Sequence, residues 1–355
     1  MTGGPTGGAA PASGPAPASG AVASSGAVAS SGAVASSGAV ASSGAVASID
    51  CGTNSTRLLV VSPGGASIER INRITRLGEN VDKTGRLGRE AIARTIAVLG
   101  DYRVVLDAHG VLNCRMTATS AARDASNRDE FFDAAEAAVG VRPELLDGTH
   151  EGQLSFKGAL SGLPQSGLPQ SGGPWLVVDI GGGSTELIVG SDASTGPTGV
   201  VSMDVGCVRL TERFLVSDPP TATQIDEARL MVRSEIAKAL DQVPQLETGK
   251  VMVGVAGTVA CLAAVDQEID GSDRRLLHHH RITRRRVEEM CGRLAALCAR
   301  ERLLIPGVEE GRADVIVGGA IVLGEVMARF GFEDFVTSET DILDGLAASL
   351  LEGSA

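Results

Sequence analysis

The stretch Trp175-Leu-Val-Val-Asp179-Ile-Gly181-Gly-Gly-Ser184-Thr-Glu186-Leu-Ile-Val189 decides the fold. An apolar run leads into a turn of glycines and hydroxyls, and a second apolar run leads out, which is the signature of a β-hairpin. Upstream, the segment from Ala45 to Val61 repeats the plan: a short strand ending at Asp50, the turn Asp50-Cys-Gly-Thr-Asn-Ser55, and the strand Leu58-Leu-Val-Val61. The aspartates Asp50 and Asp179 stand 129 positions apart, a domain-sized interval. A duplicated, two-lobed architecture follows.

Helical patterns fill the intervals. Ile92, Ile96, Leu99, Tyr102 and Leu106 mark one apolar face, and Val287, Met290, Cys291, Leu294 and Cys298 mark another. Strands alternating with such helices indicate the α/β class. A third strand-to-Gly turn runs from Val251 to Thr258. The expected layout is a low-complexity arm over 1–44, a first lobe over 45–147 with the C-terminal helix 340–352 as a candidate addition, and a second lobe over 148–339. Within the arm the hexamer GAVASS repeats from Gly20, and a partial fifth copy, Gly44 to Ser48, runs into Ile49-Asp50. Uncharged and without large side chains, the arm cannot bury enough surface to offset its ordering entropy and is predicted to be disordered. The doubled SGLPQ over 161–174 predicts a flexible surface loop.

Composition narrows the function. The net charge is −12 and aromatic residues make up only 3%, so non-specific binding to nucleic acid or an anionic membrane, and base stacking on an aromatic surface, are disfavoured. Six scattered cysteines without a C-x-x-C predict reduced thiols and a cytoplasmic setting. No run reaches the roughly 18 apolar residues of a membrane span, and the first residues lack a charged start with a long apolar centre.

The two turns share a chemical logic. Glycines let backbone N–H groups approach phosphate oxygens and hydroxyls add donors, while the aspartate faces a metal or water. Thr53, Asn54, Ser55, Gly181, Gly182, Gly183, Ser184 and Thr185 are therefore the candidate phosphate grips. Asp179 and Glu186 form a carboxylate pair suited to Mg²⁺, with Asp50 as a further candidate ligand and Mn²⁺ as an alternative ion. Neither turn carries the G-x-x-x-x-G-K-[ST] of a P-loop. Arg123, in the first turn of a helix, suits neither the dipole nor a core. An anion in front of it is the simplest compensation, and a surface ion pair with Asp124 or Glu130 is the alternative. The segment Arg274 to Arg286 holds six Arg and three consecutive His. It is either a polyanion channel or a solvated loop leading into a helix.

Taken together, IDCGTNSTRLLVV from Ile49, ATSAARDASNRDEF from Ala118, GTHEGQLSFKGAL from Gly148, VVDIGGGSTELIVG from Val177, VGVAGTVACLAAV from Val253 and GRADVIVGGA from Gly311 resemble the exopolyphosphatase and guanosine-pentaphosphate phosphohydrolase family. The resemblance spans nearly everything after Val46, in the short form without an added His-Asp domain. It implies the two-lobed actin/sugar-kinase/Hsp70 ATPase fold, a divalent cation, a homodimer, and release of terminal phosphate from inorganic polyphosphate or guanosine pentaphosphate. It also implies that Glu151 is the catalytic carboxylate orienting the attacking water and that Arg123 contacts phosphate. The family often has an acidic residue where this chain has His150, which removes a second-carboxylate role there. Read locally, Glu151 opens a helix whose N-terminus keeps it ionised near neutral pH. A non-catalytic alarmone-binding regulator, an actin-like assembly protein and a sugar or acetate kinase are the competing readings. A retained Glu151 argues against a pure sensor, since binding alone requires no water-activating base.

Overall fold

The computed structural model describes Met1, Gly3, Gly4, and residues 44–163 and 174–353. The predicted disorder of the arm over 1–44 and of the loop over 161–174 falls almost wholly outside the described residues.

Eleven strands build two sheets among the described residues: β1 Val46–Cys51, β2 Ser55–Val61, β3 Ser67–Ile74, β4 Asn113–Ala118, β5 Glu144–Leu145, β6 Trp175–Ile180, β7 Thr185–Gly190, β8 Pro197–Met203, β9 Val251–Val255, β10 Arg281–Thr283 and β11 Asp334–Thr337. The first sheet runs β3-β2-β1-β4-β5, and the second runs β8-β7-β6-β9-β11 with β10 added at the edge. In each, three antiparallel strands are continued by parallel ones, β1 with β4 and β6 with β9. The same order occurring twice is the duplicated α/β architecture of the actin/sugar-kinase/Hsp70 ATPase fold. The fifth GAVAS copy enters β1, where its register sets Asp50 opposite Arg57.

The near-continuous apolar runs of β1 and β6 are explained by burial on both faces. Side chains alternate across the second sheet. Leu176, Val178, Ile180, Leu187 and Val189 join the large core that also takes in Val232 and Ile236 of helix Ala222–Gln242 and Ile316, Ala320 and Leu323 of helix Ile316–Phe330. Val177, Ile188, Val253 and Val255 face the other way and pack on Phe156 and Ala159 of helix Gly148–Ser161. On the first sheet, Leu343 and Ala347 of the C-terminal helix Ile342–Glu352 pack on Val46, Leu59 and Val61.

Helices Gly148–Ser161 and Ile342–Glu352 cross at two glycines. A Cβ on Gly158 would lie 1.7 Å from the Asp341 carbonyl oxygen, and one on Gly345 would lie 2.2 Å from that of Leu154. No side chain fits at this crossing, so backbone meets backbone and helix Gly148–Ser161 is fixed against both the second sheet and the C-terminal helix. Its N-terminus is thereby aimed into the cleft.

Two predicted boundaries move. The helix expected to open at Glu151 starts at Gly148, because Asp147 caps it by accepting the His150 backbone N–H at 2.8 Å. The face expected to run from Val287 to Cys298 ends with its helix at Ala295, and Cys298 instead caps the next short helix, Ala299–Arg302. The Arg/His segment divides into the short helix Arg274–Leu277, β10 and the start of helix Arg284–Ala295. All six of its arginines have an acidic partner. That neutralises the polyanion channel as a reading of the whole segment. Its histidines are likewise engaged: His278 and His279 reach the Gly162 carbonyl, and His280 pairs with Asp266.

Candidate active site

The two predicted turns meet across one cleft. Each is closed by the same backbone bond, Gly52 N–H to the Ser55 carbonyl at 2.9 Å and Gly181 N–H to that of Ser184 at 3.0 Å. The turns touch: a Cβ on Gly182 would lie 2.8 Å from Thr53 Cβ, and one on Gly183 would lie 2.9 Å from Thr53 Oγ1. Asp50, Thr53, Asn54, Ser55, Ser120, Glu151, Asp179 and Gly181–Ser184 all line this cleft.

Glu151 comes from the first turn of helix Gly148–Ser161 and is met by Arg123 of helix Ser120–Asp124, with Nη1 2.5 Å from Oε2. The same Nη1 donates to the Leu146 carbonyl at 2.9 Å, and Nη2 donates to Ser184 Oγ at 3.3 Å. Arg123 thus joins Glu151 to the second Gly turn. Neither Asp124 nor Glu130 is its partner. Burial pushes the Glu151 carboxyl up to about 7; Arg123 opposes this, and Asp179 and Asp50 add to it. The ionising effect expected of the helix N-terminus is therefore overridden by desolvation, because the side chain is only 12% exposed. A carboxyl titrating near neutrality is suited to exchange a proton with water there.

One helical turn beyond Glu151, Ser155 Oγ donates to Asp179 Oδ2 at 2.5 Å. Burial raises the Asp179 carboxyl to about 6, with Ser155 and Arg57 opposing and Asp341 and Asp50 reinforcing. Glu186 sits behind this pair, buried, accepting from Ser202 Oγ at 2.7 Å. Burial holds its carboxyl well above the usual range, and the neighbouring Glu151 and Asp179 charges add to that.

Two expectations are corrected. Thr185 does not grip phosphate: it is fully buried and its hydroxyl donates to the Val205 carbonyl at 2.6 Å. Asp50 does not stand free as a ligand. Arg57 donates to its Oδ2 from Nη2 at 2.7 Å and from Nε at 3.2 Å, and also binds Asp341. Among the described residues no three His, Cys, Asp or Glu side chains converge as a metal site. A hard cation that keeps its waters asks for less, one or two carboxylates and substrate oxygens. Asp179, in an acidic cleft where carboxyls are driven toward protonation, fits that demand.

Sequence reasoning missed Ser155, Asp341 and Arg209, whose Nε donates to the Gly183 carbonyl at 2.7 Å. The i, i+4 spacing from Glu151 was available for Ser155. Asp341 and Arg209 left no local signal.

A model of the Ppx/GppA phosphatase family matches residues 54–353. The chain is 44% identical over 319 residues to Exopolyphosphatase 2 of Mycobacterium tuberculosis, covering 85% of this chain and 97% of that protein. Among solved structures, an exopolyphosphatase-like protein is 38% identical with a TM-score of 0.83, covering 88% of this chain and 100% of the other. The Aquifex aeolicus member of the Ppx/GppA family is 29% identical with a TM-score of 0.71, over 88% and 99% of the two chains.

Proposed function

This chain belongs to the Ppx/GppA phosphatase family, and we propose that it is an exopolyphosphatase, removing orthophosphate from the end of inorganic polyphosphate. The observation that carries the reading is the Arg123–Glu151 pair set against the Gly181–Ser184 turn, in a chain 44% identical to an exopolyphosphatase.

In this reading ionised Glu151 takes a proton from a water as the water oxygen bonds to the terminal phosphorus. The anhydride P–O bond breaks, and its electron pair leaves with the chain shortened by one phosphate. The proton then passes from Glu151 to solvent. Backbone N–H groups of the two Gly turns, with the Ser55 and Ser184 hydroxyls, face the non-bridging oxygens, and Arg123 balances the charge that develops on them. Asp179 would hold Mg²⁺, or Mn²⁺ in its place, through the waters and phosphate oxygens it prefers. When bound, such an ion supplies charge neutralisation at the transferring phosphoryl group.

Orthophosphate release from purified protein, measured in parallel on long polyphosphate, short polyphosphate and guanosine pentaphosphate with and without Mg²⁺, tests the proposal. Turnover confined to the pentaphosphate would replace it with the nucleotide reading, and no turnover on any substrate would favour a regulator. The six free cysteines support a reducing, cytoplasmic setting. A homodimer, proposed from the family resemblance, is checked by sedimentation.

A further inference from the structure

Arg209, on helix Cys207–Phe214, has a side chain only 10% exposed and yet makes contacts on both sides of the cleft. Its Nε donates to the Gly183 carbonyl at 2.7 Å, on the turn that faces substrate. Its Nη1 donates to Asp82 Oδ1 at 3.0 Å, and its Nη2 donates to Ser120 Oγ at 3.2 Å and to the Asp124 carboxylate. Ser120 and Asp124 are the first and last residues of the short helix that carries Arg123. One planar guanidinium therefore holds both ends of that helix against the phosphate-facing turn. Arg213 Nε, one helical turn on, donates to Asp82 Oδ2 at 2.5 Å, and Glu212 accepts the Asn80 N–H at 3.0 Å. Asp82 is thereby fixed from the same helix.

The consequence concerns Arg123. Helix Ser120–Asp124 has five residues, too few to be stable alone, so its placement depends on what grips it. Arg123 must meet Glu151 and Ser184 at once, and a displacement of about 1 Å at such a contact is enough to cost up to about a hundredfold in rate. We propose that Arg209 is a positioning residue for phosphoryl transfer: it braces helix Ser120–Asp124 against the Gly181–Ser184 turn and so sets Arg123 against Glu151. Arg209 itself touches no reacting atom. A lysine cannot replace it, because one ammonium does not span the Gly183 carbonyl, Ser120, Asp82 and Asp124.

The inference rests on the assignment of Arg123 and Glu151 to the chemistry, and a kinetic double-mutant cycle separates the two. Arg209→Gln is expected to lower kcat on polyphosphate by about tenfold in the wild-type background and by less than about twofold in an Arg123→Ala background, because a residue acting through Arg123 has nothing left to position. Arg209→Lys should recover little of the lost kcat. A rise in KM is expected in both backgrounds, through the Gly183 contact. An equal loss of kcat in both backgrounds, or a fall in Tm with kcat unchanged, would overturn the positioning role. Wild-type turnover in Arg123→Ala alone would instead overturn the assignment of Arg123. Should Arg209→Gln fail to fold, Asp124→Asn, which removes one arm of the brace at an exposed site, takes its place in the same cycle. Its loss of kcat must again vanish in the Arg123→Ala background, and persistence of that loss counts against the proposal.

Discussion

Arg123 Nη1 lies 2.5 Å from Glu151 Oε2, and the two residues reach each other from different helices, one following β4 and the other preceding β6. The pair is mostly buried, so each charge is held by the other and by few waters. A carboxyl in that setting is neither an ordinary surface acid nor a permanently ionised ligand, and the kinetic consequences follow from it.

Glu151→Gln preserves the shape of the side chain and its contact with Arg123 but cannot take the proton of a water. Turnover on polyphosphate is expected to fall by about 10²–10⁴-fold with KM little changed. Steady-state phosphate release measures both; near-normal kcat would remove Glu151 as the base.

The pH profile carries the sign of the Glu151 shift. Because the carboxyl is pushed up to about 7, the active ionised form is lost as pH falls through that value, giving kcat/KM an acid limb near neutrality. Arg123 lowers this carboxyl, so Arg123→Ala should move the limb to higher pH as well as reduce the rate. A limb that stays in place would show that the pair is not what titrates.

Glu186 offers a test on stability. Its folded carboxyl is raised well above the ordinary value, so its contribution is fully present below about 4.5, the unfolded value, and is lost as pH rises toward the folded one. In the absence of added divalent cation, Tm of the wild type should decline between pH 5 and pH 9, and Glu186→Gln should decline less. At pH 5 the two should nearly coincide. A steeper decline in the variant would reverse the sign of the argument.

Gly158→Ala probes the helix crossing. Its added Cβ would sit 1.7 Å from the Asp341 carbonyl oxygen, a position no rotamer relieves. Overpacking of this kind costs about 1–3 kcal/mol or more, and here the displaced helix carries Glu151. Both Tm and kcat are expected to fall, whereas Gly140→Ala, at a surface helix end with open space around it, should lose stability only. A Gly158→Ala protein with unchanged Tm would show that the crossing relaxes freely.

Some of this was legible in the chain itself. The paired hairpins were, because a strand that ends in a Gly-hydroxyl turn and returns is specified by neighbours within a dozen residues, and the period-2 burial of Val177 and Val178 follows from the pleat. Glu151 could be singled out beside its helix start, but its titration could not be read there. The dipole argument is local, whereas the burial of Glu151 and the Arg123, Asp179 and Asp50 charges around it are assembled from segments on both sides of the cleft.

Sequence by itself determined the duplicated strand-turn-strand plan, the α/β class and the Gly-hydroxyl make-up of the two turns, since each depends on short-range pattern and backbone sterics. The tertiary structure alone decided which partners those residues have. It turned Thr185 away to Val205, committed Asp50 to Arg57, which also binds Asp341, and brought Arg209 onto Gly183 and Asp124. Charge pairing acts through space over a few ångströms, and 284 positions of chain separate Arg57 from Asp341, so nothing in the local sequence could encode that contact.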